Sequence, residues 1–207
     1  MKYRLAIFDF DGTLADSFPF FVQVFNQLAE QHGFKKIDPD LAPTFRHFNA
    51  GQIMKQVGMP AWKLPFVVKS FTSLMRQNAA SISLFEDVDN LLRYLADRPV
   101  TLAIVSSNSH ENVSRILGPA NTKLISQFEC GVSIFGKPAR LLKVLKKTGI
   151  PCHEVIYIGD QVADLEAARK EEVAFGAVSW GYGAIESLRA HSPEEEFDCV
   201  ASIKRIA

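Results

Sequence analysis

Short unbroken apolar runs, each ending abruptly in a polar residue, recur along the chain. They are Leu5-Ala-Ile-Phe before Asp9, Leu102-Ala-Ile-Val before Ser106, and Val155-Ile-Tyr-Ile-Gly before Asp160. A run without alternation is apolar on both faces, which suits a strand covered on both sides, as in a parallel sheet. Val173 to Ser179 is a fourth, weaker candidate. Between these runs the spacing turns helical. Phe85 to Arg98 carries Leu91, Leu92 and Leu95, and Pro138 to Lys147 carries Leu141, Leu142 and Leu145. Pro138 suits a first helical turn and Gly149 a C-terminal cap. A further helix is expected over Gln161 to Lys170. Strands alternating with helices of this length predict an α/β fold, a doubly wound, Rossmann-like parallel sheet. Such sheets bind ligands outside the carboxyl ends of their strands, and here those ends carry Asp9, Ser106 and Asp160.

From Ala15 to Ser83 the alternation lapses. A helix-like run from Ser17 to His32 closes at Gly33, amphipathic pieces follow, and no buried strand is evident. Nine of the sixteen phenylalanines fall in this interval, enough for a small core of its own. The expected organisation is therefore a core domain of residues 1–14 and 84–207, with residues 15–83 inserted as an all-helical cap. Because the insertion leaves the chain beside Asp9, it is expected to act as a lid.

With 207 residues there is room for a core and a small accessory domain. The 23 basic and 23 acidic side chains balance, which argues against the basic face that nucleic acid requires. Three widely spaced cysteines with no CxxC pair fit neither a disulfide framework nor a zinc site, and suggest a reducing compartment. Leu5 to Phe8 is too short an apolar run for a signal peptide, and no stretch reaches the ~18 apolar residues of a membrane helix. The expectation is a cytoplasmic protein with no membrane or nucleic-acid partner. Monomer and homodimer are not distinguished.

The densest chemistry is Asp9-Phe10-Asp11-Gly12-Thr13. Residues two apart on extended backbone share a side, about 6–7 Å apart at ~3.3 Å per residue, so Asp9 and Asp11 can face one ligand. Gly12 permits a sharp turn and a close backbone approach to an anion, and Thr13 adds a hydroxyl. A carboxylate can attack phosphorus once charge repulsion is cancelled, usually by magnesium, which takes hard oxygen ligands. A calcium loop starting at Asp9 would need glycine sixth and an acid twelfth, where the chain has Leu14 and Phe20. Gly131 to Pro138 approaches a P-loop, but Pro138 replaces the hydroxyl residue that would hold magnesium.

Asp9-Phe-Asp-Gly-Thr-Leu-Ala-Asp-Ser17 resembles the first signature of the haloacid dehalogenase superfamily, in its phosphatase branch, and further signatures follow in order. Ser106 matches the hydroxyl that holds a phosphoryl oxygen, and Lys137 in Phe-Gly-Lys-Pro the cation that orients the nucleophile. Gly159-Asp160-Gln-Val-Ala-Asp164 matches the acids that hold magnesium. Trp180-Gly-Tyr-Gly183 is similar to a segment of phosphoglycolate-phosphatase-like members. The resemblance implies catalysis by Asp9, Asp11, Ser106 and Lys137, with Asp9 as nucleophile and Asp11 as general acid/base. It implies a Mg2+ site of Asp9, Asp11, Asp160 and Asp164, and substrate contacts from Gly12, Thr13, Ser107 and Asn108. Four gathered carboxylates require compensation, which Lys137, magnesium and a protonated Asp11 would supply.

The expected substrate is a small phosphorylated metabolite, a phosphoglycolate-like or sugar phosphate ester. Arg46, His47 and Asn49, the most polar cluster in the insertion, are its candidate leaving-group contacts, Arg46 foremost. The chain departs from the family pattern at Lys-Pro-Ala-Arg140, where an acid is usual, and at Glu171-Glu172, where Ala-Gly is common. A dehalogenase would not need Asp11. A phosphomutase shares every core motif, and a non-catalytic phosphate sensor usually lacks the nucleophile or the acid.

Overall fold

A computed structural model describes residues 2–38, 41, 44, 45, 48, 50–131 and 136–207. Its strands are β1 (Leu5–Phe8), β2 (Thr101–Val105), β3 (Gln127–Glu129), β4 (Val155–Gly159), β5 (Ala174–Val178) and β6 (Glu195–Phe197). All pair in parallel in the order β3-β2-β1-β4-β5-β6. Phe8 is level with Ile104 on one side and Ile158 on the other, so the chains leaving β1, β2 and β4 emerge along one edge.

The apolar runs divide as a strand's two-residue period requires. Ala6, Phe8, Leu102, Ile104, Ile156 and Ile158 face one side. There they meet α4 (Val88–Ala96), α5 (His110–Thr122) and a C-terminal 3-10 helix, Val200–Ile206. Leu5, Ile7, Ala103, Val105, Val155 and Tyr157 face α6 (Lys137–Thr148), α7 (Val162–Lys170) and α8 (Ile185–Arg189). The fold is the doubly wound α/β sheet that the pattern predicts.

The expected helices over Phe85–Arg98, Pro138–Lys147 and Gln161–Lys170 correspond to α4, α6 and α7, with ends shifted by at most three residues. Gly149, at φ 65°, closes α6 through its N–H on Leu145 O. Edge strands β3 and β6 went unpredicted because they are three residues long and carry Gln127, Glu129, Glu195 and Glu196. Gly118, at φ 74°, and Pro119 break the apolar pattern of α5, which was not expected either.

Between β1 and α4 lie α1 (Phe18–His32), α2 (Ala50–Gln56) and α3 (Leu64–Gln77), with no strand among the described residues. Phe25, Phe45 and Val57 form a small core with Phe21, Phe34 and Ile53 against them. The inner sides of α1 and α3 contribute Phe20, Val24, Leu28 and Met75 to the larger core under the sheet. Ala15 pairs antiparallel with Leu84, so the chain enters and leaves this helical segment side by side.

Candidate active site

Asp9 is the first residue past β1, its N–H still bonded to Ile158 O at 2.8 Å. Lys137 opens α6, and although a lysine is usually exposed it is buried here. Its Nζ lies 3.0 Å from Asp9 Oδ1 and 2.5 Å from Asp164 Oδ1. Asp164 occupies the first turn of α7, where Oδ2 accepts the Gln161 N–H at 3.3 Å in a capping box. Tyr157, buried in β4, donates its hydroxyl to Asp164 Oδ1 at 2.9 Å.

Asp9, Asp160 and Asp164 each offer a carboxylate oxygen within 4.8 Å of the others. Burial pushes the Asp9 carboxyl well above its usual range; Lys137 pulls it back while Asp164 and Asp160 push it further. Burial, then Asp164, raises Asp160 to about 7. Burial opposes the charge on Lys137, but Asp164 and Asp9 outweigh it and raise its pKa. Three buried carboxylates around one lysine form a set of hard oxygen donors with surplus negative charge, which fits a divalent cation of the magnesium type.

The Asp11 carboxylate lies outside that trio. Its oxygens turn instead to Ser17 Oγ, which donates to Oδ1 at 2.8 Å, and to Asn108 Nδ2, which donates to Oδ2 at 3.0 Å. Burial raises the Asp11 pKa, and those two donors only partly offset it. The Thr13 hydroxyl donates to Asp160 Oδ1 at 3.3 Å. Gly12, at φ 82°, is packed so closely that a Cβ would stand 2.5 Å from Asp160 Oδ2.

Past β2, Ser106 Oγ accepts the Asn108 N–H at 3.1 Å, and Ser107 beside it is half-buried. Asn108 also contacts Met75 Sδ in the last turn of α3 at 2.7 Å, while its Oδ1 accepts from Asn112 Nδ2 at 3.0 Å. Arg46, His47 and Asn49 lie outside the described residues.

The segment from Trp180 to Gly183 folds over Asp160. Trp180 Nε1 donates to Thr13 O at 3.1 Å, and the Tyr182 N–H donates to Asp160 Oδ2 at 2.6 Å. A Cβ on Gly181 would lie 2.1 Å from Asp160 Cβ, and one on Gly183 2.2 Å from Asp160 O, so only glycine fits at either position. Sequence reading noticed this segment only as a resemblance and passed over Tyr157 as strand filler. Nothing in the sequence pattern reveals that the Tyr157 hydroxyl meets Asp164 or that the Tyr182 hydroxyl meets Ser17.

The arrangement joins a buried carboxylate beside a lysine, a second carboxyl held by neutral donors, and an acidic trio. A family model for haloacid dehalogenase-like hydrolases matches residues 6–178. The phosphoglycolate phosphatase of Synechococcus elongatus is 32% identical over 189 residues, 91% of this chain and 89% of that protein. A solved structure from Lactobacillus plantarum, provisionally described as a phosphoglycolate phosphatase, superposes with a TM-score of 0.84 at 23% identity, each chain covered fully. A haloacid dehalogenase-like family hydrolase from Streptococcus pneumoniae has a TM-score of 0.81 at 17% identity, covering 98% of this chain and 97% of its own.

Proposed function

The chain belongs to the haloacid dehalogenase-like hydrolases and is a phosphatase similar to phosphoglycolate phosphatases, and on that footing we propose a magnesium-dependent, two-step hydrolysis of a small phosphomonoester. The observation that carries the proposal is the position of Lys137 Nζ, 3.0 Å from Asp9 Oδ1, at the border of the Asp9, Asp160 and Asp164 trio. Lys137 opposes the burial that raises the Asp9 pKa and holds the carboxyl in place, and a cation bound beside it would favour the charged form that attack needs. Asp9 forms a bond to phosphorus as the ester oxygen departs, and Asp11 protonates that oxygen. Asp11 then takes a proton from water as the water attacks phosphorus, freeing phosphate and Asp9.

Mg2+, held by Asp9, Asp160 and Asp164, would neutralise charge on the phosphoryl group. Ser106, Ser107 and Asn108 stand at the end of β2, and we assign them to the phosphoryl oxygens, with Asn108 also steering Asp11. Residues 15–83 serve as the cap, and we assign Arg46 of that segment to recognition of the leaving group. A cytoplasmic site of action accords with the unpaired thiols of Cys130, Cys152 and Cys199; among the described residues no helix is long and apolar enough to cross a membrane.

The test is phosphate release from a panel of small esters, phosphoglycolate and sugar phosphates included, with magnesium or with EDTA. Magnesium-dependent release that disappears in Asp9→Asn is expected. Full activity in Asp9→Asn would sink the mechanism, and isomerisation of a sugar phosphate without phosphate release would make the protein a mutase.

A further inference from the structure

Ser17 stands at the N-cap of α1, a position where serine ordinarily accepts a bond from the helix's first turn. It makes no such bond. Its hydroxyl instead lies 2.8 Å from Asp11 Oδ1 and 2.8 Å from the Tyr182 hydroxyl. We infer that Tyr182 is a positioning residue for Asp11, its hydroxyl acting through Ser17 to fix the direction in which the Asp11 carboxyl gives and takes its proton. The inference rests on the phosphatase reading above.

Hydrogen counting sets the order of the relay. A serine hydroxyl has one hydrogen, and Ser17 gives it to Asp11, so the Tyr182 hydroxyl must donate to Ser17. On the other side Asn108 Nδ2 can only donate, to Asp11 Oδ2. Each carboxyl oxygen then has one lone-pair direction taken by a fixed donor, and a proton on Asp11 is confined to the directions left over. As the Asp9 oxygen bonds to phosphorus, the bond from phosphorus to the leaving oxygen breaks and its electron pair stays on that oxygen. The Asp11 proton joins it, leaving Asp11 as the carboxylate that both donors stabilise. In the second step a water oxygen bonds to phosphorus, the Asp9–phosphorus bond breaks, and Asp11 recovers a proton from that water.

Tyr182 is itself held rigidly. Its backbone N–H is bonded to Asp160, and Gly181 and Gly183 let the chain lie against that residue. Its ring meets Phe18 edge-on at 5.1 Å between centroids and Phe21 at 6.0 Å. A phenol is protonated at neutral pH, so the Tyr182 hydroxyl is able to donate.

Tyr182→Phe keeps the ring and the backbone N–H and removes only the relay's first donor. The readout is kcat and KM for an alkyl phosphomonoester, whose leaving oxygen needs a proton, and for p-nitrophenyl phosphate, whose leaving oxygen does not. For the alkyl ester kcat/KM should fall about tenfold, through kcat, while the aryl ester loses less than about twofold. Ser17→Ala should show the same split, and the double substitution should be no worse than Ser17→Ala alone. The magnesium dependence of activity should be unchanged in Tyr182→Phe, which separates a relay from a displaced Asp160. Equal losses on both esters, no loss on the alkyl ester, or additive losses in the double variant would each overturn the inference. If the unsubstituted protein hydrolyses neither ester, the phosphatase reading fails, and the inference with it.

Discussion

Glu129 ends β3 with its side chain only 2% exposed, and Arg140, Lys143 and Lys147 of α6 converge on it at 2.9 Å each. Burial alone would raise its pKa, but hydrogen bonds from the three cations override that and lower it to about 2. A depressed acid adds stability above its unfolded value, near 4.5, and that contribution fades as pH falls toward about 2. Allowing for solvent screening of the half-exposed cations, Glu129→Gln should cost about 2 kcal/mol at pH 7 in denaturant titrations. The gap to the unsubstituted protein should narrow steadily below about pH 4.5; a gap independent of pH would show that the charge is not what stabilises. Beside the site, Gly181→Ala forces a methyl to 2.1 Å from Asp160 Cβ. Activity should drop about a hundredfold or more, with more magnesium needed for half-activation, since outer partners of a metal ligand weigh 10–100-fold each. Asp9 and Asp160 were legible in sequence because each sits at a strand end that periodicity defines, whereas Lys137 stood out only through the family resemblance. Asp11's turn away from the acidic trio was not legible, because it depends on Ser17 and on Asn108, 97 residues away.

The ends of the helices can be weighed against one another because α1, α6 and α7 all close in the left-handed region, at Gly33, Gly149 and Glu172. Gly149 closes α6 at φ 65° with nothing within 4 Å of an added Cβ. Gly149→Ala should therefore cost about 1 kcal/mol of stability, from backbone conformation alone, and leave activity untouched. Glu172, where the family pattern has glycine, takes φ 56° after α7, with the Val173 N–H reaching back to Ala168 O. This is a C-terminal cap bearing a side chain where glycine is at ease. Glu172→Gly should raise stability by roughly 0.5–1 kcal/mol, the left-handed penalty less glycine's added entropy cost; a loss would mean that Glu172 makes a compensating interaction. The same logic explains which elements sequence reveals. β1, β2, β4, α4 and α6 are long, periodic and buried, whereas β3 and β6 owe their existence to neighbouring strands already in place, and three mostly polar residues cannot announce that.

At the scale of the whole molecule, the sheet's two apolar faces are fully covered, so the acidic edge is where stability is surrendered to chemistry. Asp9, Asp160 and Asp164 each bring a carboxylate oxygen within 4.8 Å of the others, Lys137 pairs with Asp9 and Asp164, and burial raises both Asp9 and Asp160. Carboxyls with raised pKa values destabilise the fold when ionised, so a cation bound there should stabilise the protein as well as activate it. Binding at 100 times the dissociation constant contributes about 2.7 kcal/mol, which for a chain of this size lifts the melting temperature by roughly 5–10 °C. Magnesium should therefore raise the melting temperature above that in EDTA, by an amount that grows with concentration. Asp160→Asn should abolish that rise and yet melt no lower than the unsubstituted protein in EDTA, because it removes a buried charge while an amide can still accept from the Tyr182 N–H and donate to Thr13. A melting temperature indifferent to magnesium in the unsubstituted protein would mean the trio binds no metal. A rise that survives in Asp160→Asn would mean the ion is held elsewhere. Either result would detach the acidic edge from the chemistry assigned to Asp9, while the fold that assembles that edge would stand unchanged.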